Sequence, residues 1–328
     1  MKILNVDNSG SRPKMVPDES PEPVPGGCEL LVKIEAASLN RADLMQKSGK
    51  YPPPEGAPDI LGLEMAGKVV QTGPGAEKFK RGDLVFGLLP GGGYAEYCTL
   101  HEKIAMAMPD FLSFEEAAAI PEAFLTAWQA LDYLGCIQPR NTVLIHAGAS
   151  GVGTAAIQLA GQVFQNTVIT TAGRDEKLDI CTDLGADMVI NYKKDDFAEV
   201  IRQKLGRDSI PLILDFIGAP YWERNIDCLA MDGRLVLLSM LGGVSAEELN
   251  LVPLLRKRLT VTGSTLRNRT DGYKAKLTAD FYAGAMPFFI QGRLKPVIHS
   301  VFDWTEVEKA HALMANNENT GKIVLTGM

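Results

Sequence analysis

Positive charge is in short supply. Against 40 Asp and Glu stand 33 Lys and Arg, a net charge of −7 over 328 residues. No basic block is dense enough to neutralise a phosphate backbone, which excludes nucleic acid as a partner. Cysteine is scarce too. Cys28, Cys98, Cys136, Cys181 and Cys228 are too widely spread for a C-x-x-C metal spacing or a disulfide framework, and buried reduced thiols are the expectation. The four histidines include His101, His299 and His311, which have no partner at triad or metal spacing, and His146, inside an apolar stretch; all four read as structural. Trp128 and the methionines read as core. No run of about 18 apolar residues occurs, and the amino terminus lacks a basic-then-apolar signal, so the expectation is a cytoplasmic protein that makes no membrane contact.

What is present has two textures. Single cores stop growing at roughly 250–300 residues, so a chain of this length accommodates two domains. The first hundred residues carry Pro21, Pro23, Pro25, Gly26, Gly27, Pro52, Pro53 and Pro54 around short apolar runs at 30–34, 68–71 and 84–88, the pattern of a lobe of short strands and turns. Ser113-Phe-Glu-Glu116 is a capping box that opens a helical stretch leading, past Pro121, into a second lobe.

From Thr142 strands and helices alternate. Strands are expected at 143–147, 168–171, 188–190, 212–216, 235–239 and 259–263, with helices at 151–164, 175–184 and 197–205. Continuous apolar strands between amphipathic helices mark a buried parallel sheet, and six of them fit the two halves of a doubly wound α/β fold. Beyond Arg267 a helix is expected at 273–290, a strand at 297–302, a capping box at Thr305-Glu-Val-Glu308 and a last strand at 322–326, a tail that packs back on the first lobe.

The loop after the first of these strands reads His146-Ala-Gly148-Ala-Ser150-Gly151-Val152-Gly153 and leads straight into a helix. Small residues there let the backbone approach a pyrophosphate, and the helix amino terminus offers it free N–H groups and the positive end of a dipole. Ser150 stands where the usual pattern has its middle Gly, and its hydroxyl is a further donor. The second strand ends in Thr170-Thr-Ala-Gly173-Arg174, without the acid that an NAD enzyme uses to bind the ribose 2′-OH. Gly173, Arg174 and Lys177, with Tyr192 at the end of the third strand, supply the cationic and hydroxyl groups that a 2′-phosphate requires, so NADPH is the expected cofactor.

The order and spacing of several motifs resemble the zinc-independent quinone oxidoreductases of the medium-chain dehydrogenase/reductase superfamily. They are Gly62-Leu-Glu64-Met-Ala-Gly67-Lys-Val69, Gly73-Pro-Gly75, Lys80-Arg-Gly82-Asp83-Leu-Val85, Ser150-Gly-Val-Gly153 with Gln158, Leu259-Thr-Val-Thr-Gly263-Ser-Thr-Leu-Arg267 and Asn319-Thr-Gly-Lys322-Ile-Val. Leu89-Pro-Gly-Gly-Gly93 and Ile120-Pro-Glu-Ala-Phe124 are similar to the stress-inducible NADPH:quinone oxidoreductase branch. The resemblance implies a GroES-like β-rich catalytic domain whose first part is residues 1–121, a six-stranded Rossmann coenzyme domain at 122–267, and a segment at 268–328 that returns to the catalytic domain. Zinc alcohol dehydrogenases of the superfamily place a Cys within the segment Leu39-Asn40-Arg-Ala-Asp43 and a His where this chain has Leu63. Both ligands and the four-Cys structural loop are missing here, and no metal is expected.

Without a Lewis acid the expected substrates are ready hydride acceptors, quinones or activated enones, with the nicotinamide carrying the hard step. The resemblance places Asn40, Asp43 and Tyr51 on the substrate side, Tyr51 as a hydrogen-bond or proton donor. It adds Lys322 to the cofactor contacts. Thr126, Phe216, Ile217, Met240, Leu241, Gly242, Thr265, Leu266 and Arg267 lie near carboxyl ends of strands, where such sheets bind ligands, and are assigned to nicotinamide and ribose. The alternatives are a 2-enoyl-thioester or enone reductase with Tyr51 as acid, and a binding protein that keeps NADPH without turning it over. The strand at 259–263 would be a sheet edge, and a homodimer extending the sheet through it is expected.

Overall fold

The computed structural model describes residues 1–246 and 248–328. The chain divides into two units: Met1–Leu125 with Leu266–Ala283 and Lys295–Met328, and Thr126–Thr265 with Gly284–Leu294.

The second unit is built on a six-stranded parallel sheet. Its strands run in the order Met188–Asn191, Thr167–Ala172, Thr142–Ile145, Ile210–Asp215, Leu229–Leu237, Thr260–Gly263. In order along the chain that is 3-2-1-4-5-6, the doubly wound arrangement that places every loop after a strand at one edge. The central strands are apolar throughout because helices cover both faces; Val143, Leu144, Ile145, Ile213 and Leu214 are fully buried. Two elements depart from expectation. The fifth strand begins at Leu229, because Asp232 (φ +60°) makes a kink after which pairing resumes at Arg234, and Asp232-Gly233 reads in sequence as a break. The helix expected to 164 is α-helical over Gly151–Gln158 and then widens through Val163, Phe164 N–H donating to Leu159 O five residues back.

The first unit holds a seven-stranded sheet in the order Ile298–Asp303, Lys322–Thr326, Glu29–Ser38, Glu64–Thr72, Leu84–Leu88, Met106–Ala107, with Tyr97–His101 also pairing with Glu29–Ser38. All pairings are antiparallel except that of Ile298–Asp303 with Lys322–Thr326. The ten residues of Glu29–Ser38 form the spine, and its neighbours set the register of the site: Val324 lies opposite Ser38 and Met65 opposite Ala37. That register brings the start of the strand Lys322–Thr326 to Glu64 and Asn40.

The Ser113 capping box is present in both directions, Glu116 N–H donating to Ser113 Oγ (3.2 Å) and Ser113 N–H to Glu116 Oε2 (3.0 Å). The box expected at Thr305 is not what opens the last helix. Asp303 caps there instead, accepting from Thr305 N–H at 3.0 Å and from the Thr305 hydroxyl, and the helix proper is Val307–Ala315. The tail does not return as one piece, since the helix Asp271–Ile290 is shared: from Gly284 onward it belongs with the second unit, where the Trp128 ring closes on Gly284. Cys98, Cys181 and Cys228 are buried, but Cys28 is half-buried and Cys136, in a turn with φ +47°, is exposed.

Candidate active site

In the second unit the candidate residues gather at the carboxyl edge of the sheet. Ser150 caps the helix after the glycine loop, its hydroxyl accepting from Gly153 N–H at 3.0 Å, which leaves the hydroxyl proton free to donate outward. Gly151 and Val152 occupy the first turn, where N–H groups have no carbonyl four residues back in the helix. Gly153 packs so closely that a Cβ would lie 2.3 Å from Ala147 O, so only glycine lets the helix start against the strand. Gly148 N–H donates to Thr171 O (3.0 Å), tying this loop to the end of the second strand.

That second strand delivers Gly173, Arg174 and Lys177. A Cβ on Gly173 would stand 2.6 Å from the Tyr192 hydroxyl, so Gly173 and Tyr192 are in close contact. Burial lowers the Lys177 pKa, and the nearby Arg174 guanidinium lowers it further. Of the two acids in the first turn of the helix, Asp175 and Glu176, Asp175 is engaged by Asn191 (2.7 Å) and Lys194 (2.5 Å). Arg174 and Lys177 thus lie near enough for each cation to feel the other, at the strand end where Gly173 meets the Tyr192 hydroxyl.

The remaining loops of this edge are latched to one another. Leu241 N–H donates to Phe216 O (3.0 Å), Gly242 N–H to Ile217 O (2.9 Å) and Ser264 N–H to Leu237 O (3.0 Å). Met240, Leu241 and Thr265 are exposed, while Phe216 is buried. Thr126 keeps a shielded hydroxyl oxygen with no hydrogen-bond partner. The glycine loop at a helix amino terminus and this shielded hydroxyl fit a nicotinamide dinucleotide. Behind the edge His146 is fully buried, held by Asn225 Oδ1 (2.8 Å) and the Thr171 hydroxyl (3.0 Å), and burial pushes its pKa down to about 4, so it is a neutral structural ring.

In the first unit Asn40 and Asp43, expected on the substrate side, belong to a buried polar cluster. Glu64 Oε1 accepts from Ser38 Oγ (2.6 Å), Asn40 Nδ2 (2.8 Å) and Lys322 Nζ (2.7 Å), and Glu64 Oε2 accepts from Glu122 N–H (2.8 Å). Lys322 also donates to Leu39 O (2.8 Å) and Asn40 Oδ1 (2.7 Å). All three ammonium protons are thus spent, Lys322 is the internal counter-ion of Glu64, and the cofactor contact expected of it would have to compete with these bonds. Asp43 is engaged in the same way. It is 1% exposed and accepts from Asn40 N–H (2.7 Å), Gly62 N–H (3.2 Å) and the Tyr94 hydroxyl (3.1 Å), and burial raises its pKa to about 6. It holds the loop at Gly62. Asn40, with both amide atoms engaged, belongs to the same scaffold.

Tyr51 remains half-buried, its pKa raised first by burial and then by Glu122, with Arg267 acting the other way. The Arg267 guanidinium lies over the Tyr51 ring, 5.5 Å from its centroid, and Leu266 is buried beside it in the chain. Two residues went unassigned in sequence. Glu122 has its pKa raised to about 7, chiefly by burial and then by Glu64; Lys274 is buried close enough to feel Glu122 and Arg267. Glu122 lies within the stretch Ile120–Phe124 noted above, but its raised pKa comes from burial, which local sequence does not encode.

Comparisons with known proteins agree with this geometry. One family model, described as alcohol dehydrogenase GroES-like domain, matches residues 26–110, and another, described as zinc-binding dehydrogenase, matches residues 151–282. In this chain, among the described residues, no three His, Cys, Asp or Glu side chains are grouped to hold a metal ion. Quinone oxidoreductase-like protein 2 of Bos taurus is 31% identical over 317 residues, 96% of this chain and 89% of the relative. The crystal structure of Escherichia coli quinone oxidoreductase complexed with NADPH has a TM-score of 0.87 and 26% identity, covering 100% of both chains. That of CurK enoyl reductase has a TM-score of 0.84 and 27% identity, covering 99% of each. With its GroES-like and Rossmann-type folds, the chain belongs to the medium-chain dehydrogenase/reductase superfamily of oxidoreductases, among its quinone oxidoreductase-like members.

Proposed function

We propose that this oxidoreductase uses NADPH to reduce conjugated carbonyl compounds, quinones foremost, without a metal. The observation that carries the cofactor choice is the Arg174–Lys177 pair beside Gly173 and Tyr192, a cationic seat that a ribose 2′-phosphate fills and a bare 2′-hydroxyl does not. The nicotinamide supplies a hydride when bound. The loop from Gly148 to Gly153 binds the pyrophosphate, and Thr126 with the latched segments 216–217, 240–242 and 265 orients the nicotinamide half. Tyr51 donates a hydrogen bond to the substrate. The quinone oxidoreductase-like relative and the E. coli structure with NADPH support the reading.

CurK enoyl reductase favours a second reading, reduction of an enone or enoyl thioester with Tyr51 as proton donor. A panel of 1,2-naphthoquinone, 1,4-benzoquinone and crotonyl-CoA, assayed with NADPH and with NADH, separates the two. The expected result is quinone-dependent oxidation of NADPH, with Arg174→Ala and Lys177→Ala each raising KM for NADPH about 10-fold or more while leaving KM for NADH nearly unchanged. Equal effects on both cofactors refute the NADPH assignment. Crotonyl-CoA turnover that Tyr51→Phe abolishes establishes the second reading. NADPH binding with no turnover of any acceptor leaves a binding protein.

We further infer a homodimer through the second unit. The strand Thr260–Gly263 ends the sheet, and Val244, Leu251, Val252 and Leu255 nearby in sequence are 80%, 55%, 49% and 84% exposed, more apolar surface than a free edge tolerates well. Five unpaired cysteines fit a reducing, cytoplasmic setting.

A further inference from the structure

A buried cation is costly unless something negative meets it. The Arg267 side chain is 5% exposed, yet only its Nε is used, donating to Pro90 O at 2.8 Å. Nη1 and Nη2 are shielded and have no hydrogen-bond partner. The acidic groups that act on it are Tyr51, Asp43 and Glu122. Each is otherwise accounted for. Asp43 is spent on Asn40, Gly62 and Tyr94. Tyr51 presents its ring to the guanidinium. Glu122, with a pKa raised to about 7, is about half protonated at neutrality and makes no bond to the guanidinium, and Lys274, which feels Asp271 as well as Glu122, brings a second positive charge to the group. Another buried cation, Lys322, already has Glu64. Acidic groups therefore lie near Arg267, but none of them is bonded to Nη1 or Nη2, and both donors stand buried and unpaired beside Tyr51.

We propose that Nη1 and Nη2 of Arg267, with the Tyr51 hydroxyl, bind the substrate oxygen that becomes negatively charged on reduction, making Arg267 a catalytic residue. The inference rests on the reductase reading above. A reduced nicotinamide dinucleotide gives the conjugated carbonyl compound one hydrogen nucleus and two electrons. The electron pair displaced through the conjugated system settles on the carbonyl oxygen as an enolate or hydroquinone anion. A proton from solvent, passed through Tyr51, then neutralises it, for the balance NADPH + H⁺ + quinone → NADP⁺ + hydroquinone. Donors already aimed at the charge-bearing oxygen, and with no partner to give up, stabilise that anion more than the neutral carbonyl.

The test uses a probe that needs no cofactor: 4-nitrophenolate, whose visible absorbance reports both binding and ionisation. Wild type is expected to bind the anion in preference to 4-nitrophenol. Arg267→Met should weaken that affinity about 10- to 100-fold, while NADPH affinity, read by fluorescence, stays within about threefold. Quinone turnover should fall about 100- to 1,000-fold in kcat. Arg267→Lys keeps the charge without the planar fork and should give intermediate losses with an unchanged thermal midpoint, which covers the case in which the Met variant fails to fold. Nitrophenolate affinity unchanged in Arg267→Lys, or equal losses for NADPH and nitrophenolate, overturns the proposal, the latter making Arg267 a cofactor ligand. Absence of nitrophenolate binding to wild type overturns it as well. If wild type turns over no carbonyl acceptor but binds the anion through Arg267, the reductase reading fails while the anion site stands.

Discussion

Removing the Lys322 ammonium tests the polar centre of the first unit directly. The Lys322 side chain is 6% exposed and that of Glu64 is 0% exposed. In Lys322→Met the apolar stem is roughly preserved and the charge is lost. Glu64 then keeps three neutral donors, Ser38 Oγ, Asn40 Nδ2 and Glu122 N–H, but no cation. Leu39 O and Asn40 Oδ1 lose a donor each. Breaking a buried pair from one side costs about 3–5 kcal/mol, and the remaining donors place the expected loss near the lower end. For a unit of this size 1 kcal/mol moves the melting midpoint by about 2–4 °C, so a fall of roughly 6–12 °C is expected. Two units need not unfold together, so urea titrations should be followed with a probe in the first unit as well as by far-ultraviolet circular dichroism. The double variant Lys322→Met/Glu64→Met should recover most of the loss, because an apolar pair in place of a buried ion pair is neutral or stabilising. A single-variant loss below about 1 kcal/mol, or a double variant worse than the single, refutes the view that Lys322 is an internal counter-ion.

Glu122 makes stability depend on pH with a definite sign. Its folded pKa of about 7 lies above the ordinary 4.5, so the folded state holds the proton more tightly and loses stability as pH rises through that window. Relative to Glu122→Gln, wild type should lose up to about 3 kcal/mol between pH 4.5 and 7, measured by urea unfolding, and a pH-independent difference would refute the raised pKa. The homodimer is tested by light scattering at micromolar concentration: wild type is expected at twice the chain mass and Leu255→Asp as a monomer, whereas a wild-type monomer rules the dimer out.

The second unit was largely legible in sequence because its signals are local. Uninterrupted apolar strands alternate with helices, and Gly148 to Gly153 join one strand to one helix, so periodicity found all six strands of the sheet. The errors fall where backbone conformation overrides pattern: at Asp232, whose positive φ kinks a strand without ending it, and at Asp303, which caps the last helix in place of Thr305. The first unit was legible in outline and misread at its centre. Glu64 and Lys322 are brought together by pairing across the sheet, and no local spacing encodes that contact.

One physical property separates scaffold from site. Lys322 and Arg267 are both buried cations, the first assigned to the cofactor by resemblance and the second by its place near the carboxyl end of a strand. They differ in what their protons meet. Lys322 has three donors and three acceptors within 2.8 Å, so another ligand would have to break a contact already made. Arg267 has Nη groups that meet nothing, so an arriving anion gains their full interaction with only its own desolvation opposed. The same criterion sorts Asp43, spent on three donors, from Tyr51. The charge type at a motif position is written in sequence. Whether that charge is already satisfied is decided by the register of strands far apart in the chain, and it is this second property that determines which groups are left to act on a ligand.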